Sequence, residues 1–227
     1  MQRQCLQMKW AAAQVTLAFC IAALLLLVAL PAKAGNQQYE PLEASVRTAL
    51  AAAIQNVDLP EPRFKDSKEK VDWLTKMSLR LMKRKPDYRQ RIDFLKIVHY
   101  EASRAGLDPH MVLGLIEVES GFKKYAVSYA GARGYMQVMP FWTKLIGDGD
   151  PTKLFDMRVN IRYGCTILRH YLDRENGNLF MALGRYNGSR GKSEYPNLVL
   201  GAWRKWEDKP TPGVSIPLKP QYGELHQ

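Results

Sequence analysis

Apolar positions along this chain recur at three- and four-residue spacing, and no stretch alternates long enough to predict a strand. Leu42, Val46, Leu50 and Ile54 predict a helix over 41–57, broken at Leu59-Pro60-Glu61-Pro62. Asp66 and Glu69 have capping-box spacing and open a second helix to about Lys83, with Val71, Leu74, Leu79 and Leu81 among its apolar residues. Lys83-Arg84-Lys85 then sits where cations favour a helix end. Further amphipathic helices are predicted over 88–105 (Ile92, Leu95, Ile97, Val98), 156–173 (Ile161, Cys165, Leu168, Leu172), 179–186 and 197–206, the last with Trp203 and Trp206 at core-like spacing. A short hairpin is the only other structure expected, over 123–138. The pattern predicts a predominantly α fold.

One stripe ends on a charge. Asp108-Pro109, an N-cap acceptor followed by proline at the first helical position, opens a helix whose Val112, Leu115 and Ile116 share a face with Glu119. Glu117 points the other way, toward water. A carboxylate within an apolar stripe is costly to bury when charged, so its pKa should rise above about 4.3, which suits a general acid. A half-buried glutamate at a helix terminus can equally be structural. The helix stops at Ser120-Gly121, and Gly121, Gly131 and Gly134 follow among small residues, a backbone able to approach a ligand closely.

The run Glu119-Ser120-x-Phe122, Ala126-x-Ser128, Ala130-Gly131-Ala132-x-Gly134-x-Met136-Gln137 and Met139-Pro140 resembles the soluble lytic transglycosylase (SLT) domain. Asn160-Ile161-x-x-Gly164 and Tyr186-Asn187-Gly188 fit the same family in order, and the resemblance covers roughly 90–205. It implies a lysozyme-like fold that cleaves the β-1,4 bond between N-acetylmuramic acid and N-acetylglucosamine. By position, it makes Glu119 catalytic and puts Ser128, Gln137 and Met139 along the saccharide groove. Tyr186 would hold the sugar or the developing charge, and Asn187 would support that loop. Ordinary glycosidases flank the bond with two carboxylates, yet 119–140 contains no second acid. The family precedent is one acid and a nucleophile from the substrate, the muramyl C6 hydroxyl. A goose-type hydrolase and a non-catalytic wall-binding protein are the alternatives. The sequence departs from the family pattern at Lys124, at Tyr135, in Phe141-Trp142 after Pro140, and in Tyr186-Asn187-Gly188-Ser189.

Composition and charge then set the location. Residues 1–34 read as a signal peptide, with Arg3 and Lys9 before an apolar run and Ala32-Lys33-Ala34 as cleavage site. The apolar run is also long enough to act as an uncleaved anchor. The remainder divides into a helical extension over 35–88, a catalytic domain over 89–208 and a proline-rich tail over 209–227. Removing 1–34 takes the net charge from +11 to +8, and only Cys165 stays, so the exported fold rests on its core without an internal disulfide. A basic surface suits peptidoglycan strands with their peptide carboxylates; export and the lack of a DNA-binding motif argue against nucleic acid. The histidines show no metal-ligand spacing, and Gly147-Asp148-Gly149-Asp150 lacks the rest of a calcium loop, so no metal or cofactor is inferred. The expectation is a monomer in the periplasm of a Gram-negative bacterium, associated with the cell envelope and membrane-anchored if the leader stays.

Overall fold

A computed structural model of the chain describes residues 37–55 and 64–207. The signal segment, the break at 59–62 and the tail lie outside the described residues. Eight α-helices follow in order among those described: α1 Ala44–Gln55, α2 Ser67–Leu81, α3 Tyr88–Arg104, α4 Pro109–Ser120, α5 Phe141–Ile146, α6 Met157–Arg174, α7 Leu179–Asn187 and α8 Glu194–Trp206, with a 3₁₀ turn Pro151–Phe155 before α6. Among the described residues, β-pairing is limited to two isolated antiparallel bridges, Val127 with Arg133 and Arg133 with Val138, inside the span predicted as a hairpin. The predominantly α expectation holds.

The helix starts are written in side chains. Asp66, Asp87, Asp108, Asp156 and Asn178 each accept hydrogen bonds from backbone N–H groups of the first turn that follows. In α2 the Glu69 carboxylate completes the arrangement by accepting from the Lys65 backbone.

Around α4 the packing is denser than a single stripe predicts. Every residue from Met111 to Ile116 is buried, as in a helix that is apolar all round and enclosed by its neighbours. Helix α8 lies across it most extensively. Gly114 permits this approach: a Cβ there would sit 2.6 Å from the Trp203 backbone nitrogen. Helix α6, which packs on α7 and α3, is buried from Asn160 to Leu168; it carries Cys165 as a core residue whose thiol is pushed up in pKa by burial.

Three expectations are corrected. Helix α1 begins at Ala44, beyond Leu42, and buries none of its residues fully. Helix α2 turns Trp73, Met77, Ser78 and Leu81 inward, leaving Val71 and Leu79 exposed. Helix α8 starts at Glu194, three residues before the predicted Asn197, because Pro196 falls in the first turn, where its missing N–H costs nothing.

Candidate active site

Glu119 occupies the last turn of α4, which closes at Gly121 in the left-handed conformation (φ 56°). Its side chain is turned into the protein and only 5% exposed. Tyr195, in the first turn of α8, donates its hydroxyl to Glu119 Oε1, while Oε2 is buried with no hydrogen-bond partner among the described residues. Burial raises the Glu119 pKa to about 8; the Tyr195 hydrogen bond, which favours the charged form, pulls the other way and loses. Glu119 therefore keeps its proton at neutral pH. Glu117 does not point into water as expected: it accepts from Trp206 Nε1 (2.7 Å) and Arg84 (3.0 Å).

The hairpin after α4 is stapled from three directions. Ser120 Oγ donates to the Tyr135 carbonyl (2.7 Å), tying the hairpin to the end of α4. Gln137, at φ 49°, donates through Nε2 to the carbonyls of Gly134 (2.9 Å) and Ala126 (3.1 Å). From α6, fully buried Asn160 accepts from Met136 N and donates to the Arg133 and Leu154 carbonyls, each at 2.8 Å. Gly134 (φ 75°) is required at this seam, since a Cβ would lie 2.4 Å from Asn160 Nδ2. The spacing Asn160-x-x-x-Gly164 also has a physical reason. Gly164 leaves room for Met136, whose Sδ would lie 2.4 Å from any Cβ placed there.

The other sequence-predicted residues divide. Ser128 Oγ accepts from Ala132 N (3.1 Å) and so shapes the turn at the hairpin tip. Met139 is half-buried. Tyr186 is fully buried and donates to the Met136 carbonyl (2.7 Å), supporting the hairpin from behind. Asn187 is buried too, donating to Ser189 Oγ (3.0 Å) while its Oδ1 has no partner among the described residues. Tyr186 and Tyr195 both feel the Glu119 charge, and burial raises both phenols well above their usual range. The structure thus gathers Glu119, Tyr186 and Tyr195 into one cluster. It keeps Ser128 and Gln137 engaged within the adjoining hairpin.

Three participants were missed. Tyr195 lies 76 residues from its partner in a helix whose start was misplaced. Gln37, 3% exposed, accepts from Trp142 Nε1 (3.0 Å) and Met139 N (3.4 Å) and lies close enough to Tyr186 to favour its ionised form weakly. Lys85 donates to the Tyr135 hydroxyl (2.7 Å) and stands over the Tyr135 and Phe94 rings. The departure at Tyr135 is thereby matched by a cation from the segment that follows α2. Burial lowers the Lys85 pKa, and Lys124 adds to that effect.

Comparison with known proteins follows the same residues. Residues 96–197 match the family model described as "Transglycosylase SLT domain". The "Membrane-bound lytic murein transglycosylase C" of Histophilus somni strain 2336 is 36% identical over 113 residues, 43% of this chain and 31% of that protein. Its namesake in Mannheimia succiniciproducens is 41% identical over 83 residues, 33% of this chain and 23% of that one. This chain thus spans under a third of the length of these curated relatives. Among solved structures, an inactive mutant of the lytic transglycosylase Slt from Pseudomonas aeruginosa aligns with a TM-score of 0.40 and 17% identity, over 64% of this chain and 36% of that chain. Motif and family match fall on one stretch, and residues 96–197 are similar to the transglycosylase SLT domain.

Proposed function

We propose that this protein is a peptidoglycan lytic transglycosylase that cleaves the β-1,4 bond between N-acetylmuramic acid and N-acetylglucosamine without water. The observation that carries the reading is Glu119, buried, protonated at neutral pH and shifted only by burial and Tyr195. Among the described residues, no second carboxylate contributes to that shift. Glu117 is engaged with Trp206 and Arg84, and Asp148 and Asp150 lie in an exposed turn. A two-carboxylate glycosidase places its pair within about 10 Å across the bond; in this reading one group serves twice.

Glu119 protonates the leaving glycosidic oxygen as an oxocarbenium-like state develops. The new carboxylate is stabilised by the Tyr195 hydroxyl, which already donates to Oε1. It then takes the proton of the muramyl C6 hydroxyl as that oxygen closes on C1. Atoms balance with no water consumed, and the product carries a 1,6-anhydromuramyl end. Ser128, Gln137 and Met139 line the groove, with Tyr186 and Asn187 holding its floor. The protein acts as a monomer on glycan strands in the periplasm, with 1–34 as its export signal, 35–88 as an extension of the 89–208 catalytic domain and 209–227 as a tail.

Mass spectrometry of muropeptides released from purified sacculi tests this. Wild-type protein should yield anhydro ends and Glu119→Gln none, because an amide cannot deliver the proton. Reducing ends one water heavier would establish a hydrolase instead, and a fully active Glu119→Gln would remove the assignment.

A further inference from the structure

The segment between α4 and Arg133 carries an exposed face that the chemistry at Glu119 does not use. Tyr125 is 70% exposed, Val127 60% and Tyr129 entirely so. These large side chains sit on two successive turns, closed by Ala126 N on the Lys123 carbonyl and by Gly131 N on the Ser128 carbonyl. Val127 pairs with Arg133 across the bridge, so both project from one side. The Arg133 guanidinium lies over the Phe155 ring (5.6 Å), and Phe155 meets Tyr125 at 5.8 Å between ring centroids. Lys124 stands over Tyr125 at 5.1 Å. Tyr125, Phe155, Arg133 and Val127 thus form one contiguous aromatic and cationic patch, with Tyr129 at its tip.

Its charge is one-sided. From Gly121 to Gly147 the chain has no acidic residue, but it has Lys123, Lys124, Arg133 and Lys144. The nearby carboxylates are already engaged: Asp156 caps α6 and Asp148 pairs with Lys153. Exposed aromatics in contact with one another mark an interaction surface more often than chance exposure does. Tyrosine supplies rigid contact area with a polar tip.

We infer that this patch is a second contact for the peptidoglycan strand, outside the cleavage site. The Tyr125 and Tyr129 rings stack on the CH faces of sugar residues, while Lys123, Lys124 and Arg133 meet carboxylates of the stem peptides. The inference rests on the substrate class proposed above and extends it. Ser128 belongs to the same turn as Tyr129, so a strand held on the patch is continuous with the hairpin that carries the groove residues.

The test is sedimentation with purified sacculi in the Glu119→Gln background, where turnover cannot alter the polymer. Adding Tyr125→Ser and Tyr129→Ser should weaken sacculus binding about tenfold, the effect of losing two interface aromatics, with the melting curve unchanged because both side chains are exposed. Adding Lys124→Ala instead should flatten the salt dependence of binding. Unchanged sacculus affinity in the tyrosine variant overturns the proposal. So does loss of binding to anionic phospholipid vesicles with sacculus affinity intact, which would make the patch a lipid contact. Muropeptide release by the wild-type protein is scored separately, so tyrosine-dependent sacculus binding without anhydro products would sink the catalytic reading and leave the patch standing.

Discussion

At Glu119 two forces act on one proton. Burial disfavours the carboxylate, the Tyr195 hydroxyl favours it, and the balance lies near pH 8. At pH 7 roughly nine in ten molecules hold the acid form. Cleavage that depends on this acid should therefore be flat through neutrality and fall as pH rises past about 8. Removing the Tyr195 hydroxyl removes the one influence that lowers the pKa. Tyr195→Phe should move the alkaline limb of kcat/KM to higher pH while cutting the rate about tenfold, since the carboxylate formed in the first step loses a charge-assisted hydrogen bond. A limb that stays in place, or moves down, would show that Glu119 is not the group titrating. Glu119 itself was legible from the 3.6 period, because position 119 shares the stripe of Val112, Leu115 and Ile116. Tyr195 was not: nothing local marks a tyrosine before a proline as the partner of a carboxylate 76 residues upstream.

Elements were read well where capping residues marked them and poorly where tertiary packing chose the face. Asp66 and Asp108 announced α2 and α4, and the apolar period placed α3 and α6, within a residue or so. In α2, Val71 and Leu79 looked as apolar as their neighbours. Helix α3 and the rest of the core nevertheless took the side bearing Trp73, Met77 and Leu81. The hairpin over 123–138 is a harder case, because its shape depends on a residue outside it. Asn160 satisfies one backbone N–H and one carbonyl there, and the Leu154 carbonyl of the 3₁₀ turn besides, all from the interior of α6. The sequence motif recorded this asparagine without its reason. Asn160→Ala leaves three backbone groups without their partner, at about 1–3 kcal/mol for each one left buried. We expect a loss of roughly 3 kcal/mol or more, and a fall in Tm of about 6–12 °C. Activity below the melting transition should fall with it, since Met136 and Gln137 lose their fixed backbone. An Asn160→Ala protein that melts with the wild type would show that the hairpin holds itself.

At the scale of the whole molecule, α1 and the residues just ahead of it are held by charge and hydrogen bonds beside the partly buried Leu50, Ala51 and Ile54. Helix α1 buries no residue fully. Ahead of it, Glu40 pairs with Arg174 and Arg185, and Gln37 meets Trp142 and Met139. At its far end, Arg104 donates to the Ala53 carbonyl (2.9 Å) and Arg162 to that of Ile54 (3.3 Å), so two cations cover the C-terminus of α1, where the helix dipole favours them. Both guanidinium groups converge on Glu101, which is fully buried and accepts from Arg162 (2.8 and 3.0 Å) and from Arg104 (2.9 Å). That carboxylate, on α3, therefore joins α6 to α1 through two arginines. Neutralising it leaves two cations in a low-dielectric setting without their shared counter-charge, an arrangement that costs about 3–5 kcal/mol in buried pairs. Glu101→Gln preserves the shape and one acceptor, so the loss it reports is charge. We expect Tm to fall by on the order of 10 °C. We also expect amide exchange to quicken first in the last turn of α1, ahead of α4, whose enclosure by apolar side chains does not depend on Glu101. Uniform acceleration across α1 and α4 would mean that the arginine pair supports the core as a whole. An unchanged α1 would mean that this helix is held elsewhere, through Glu40, Gln37 and its apolar contacts.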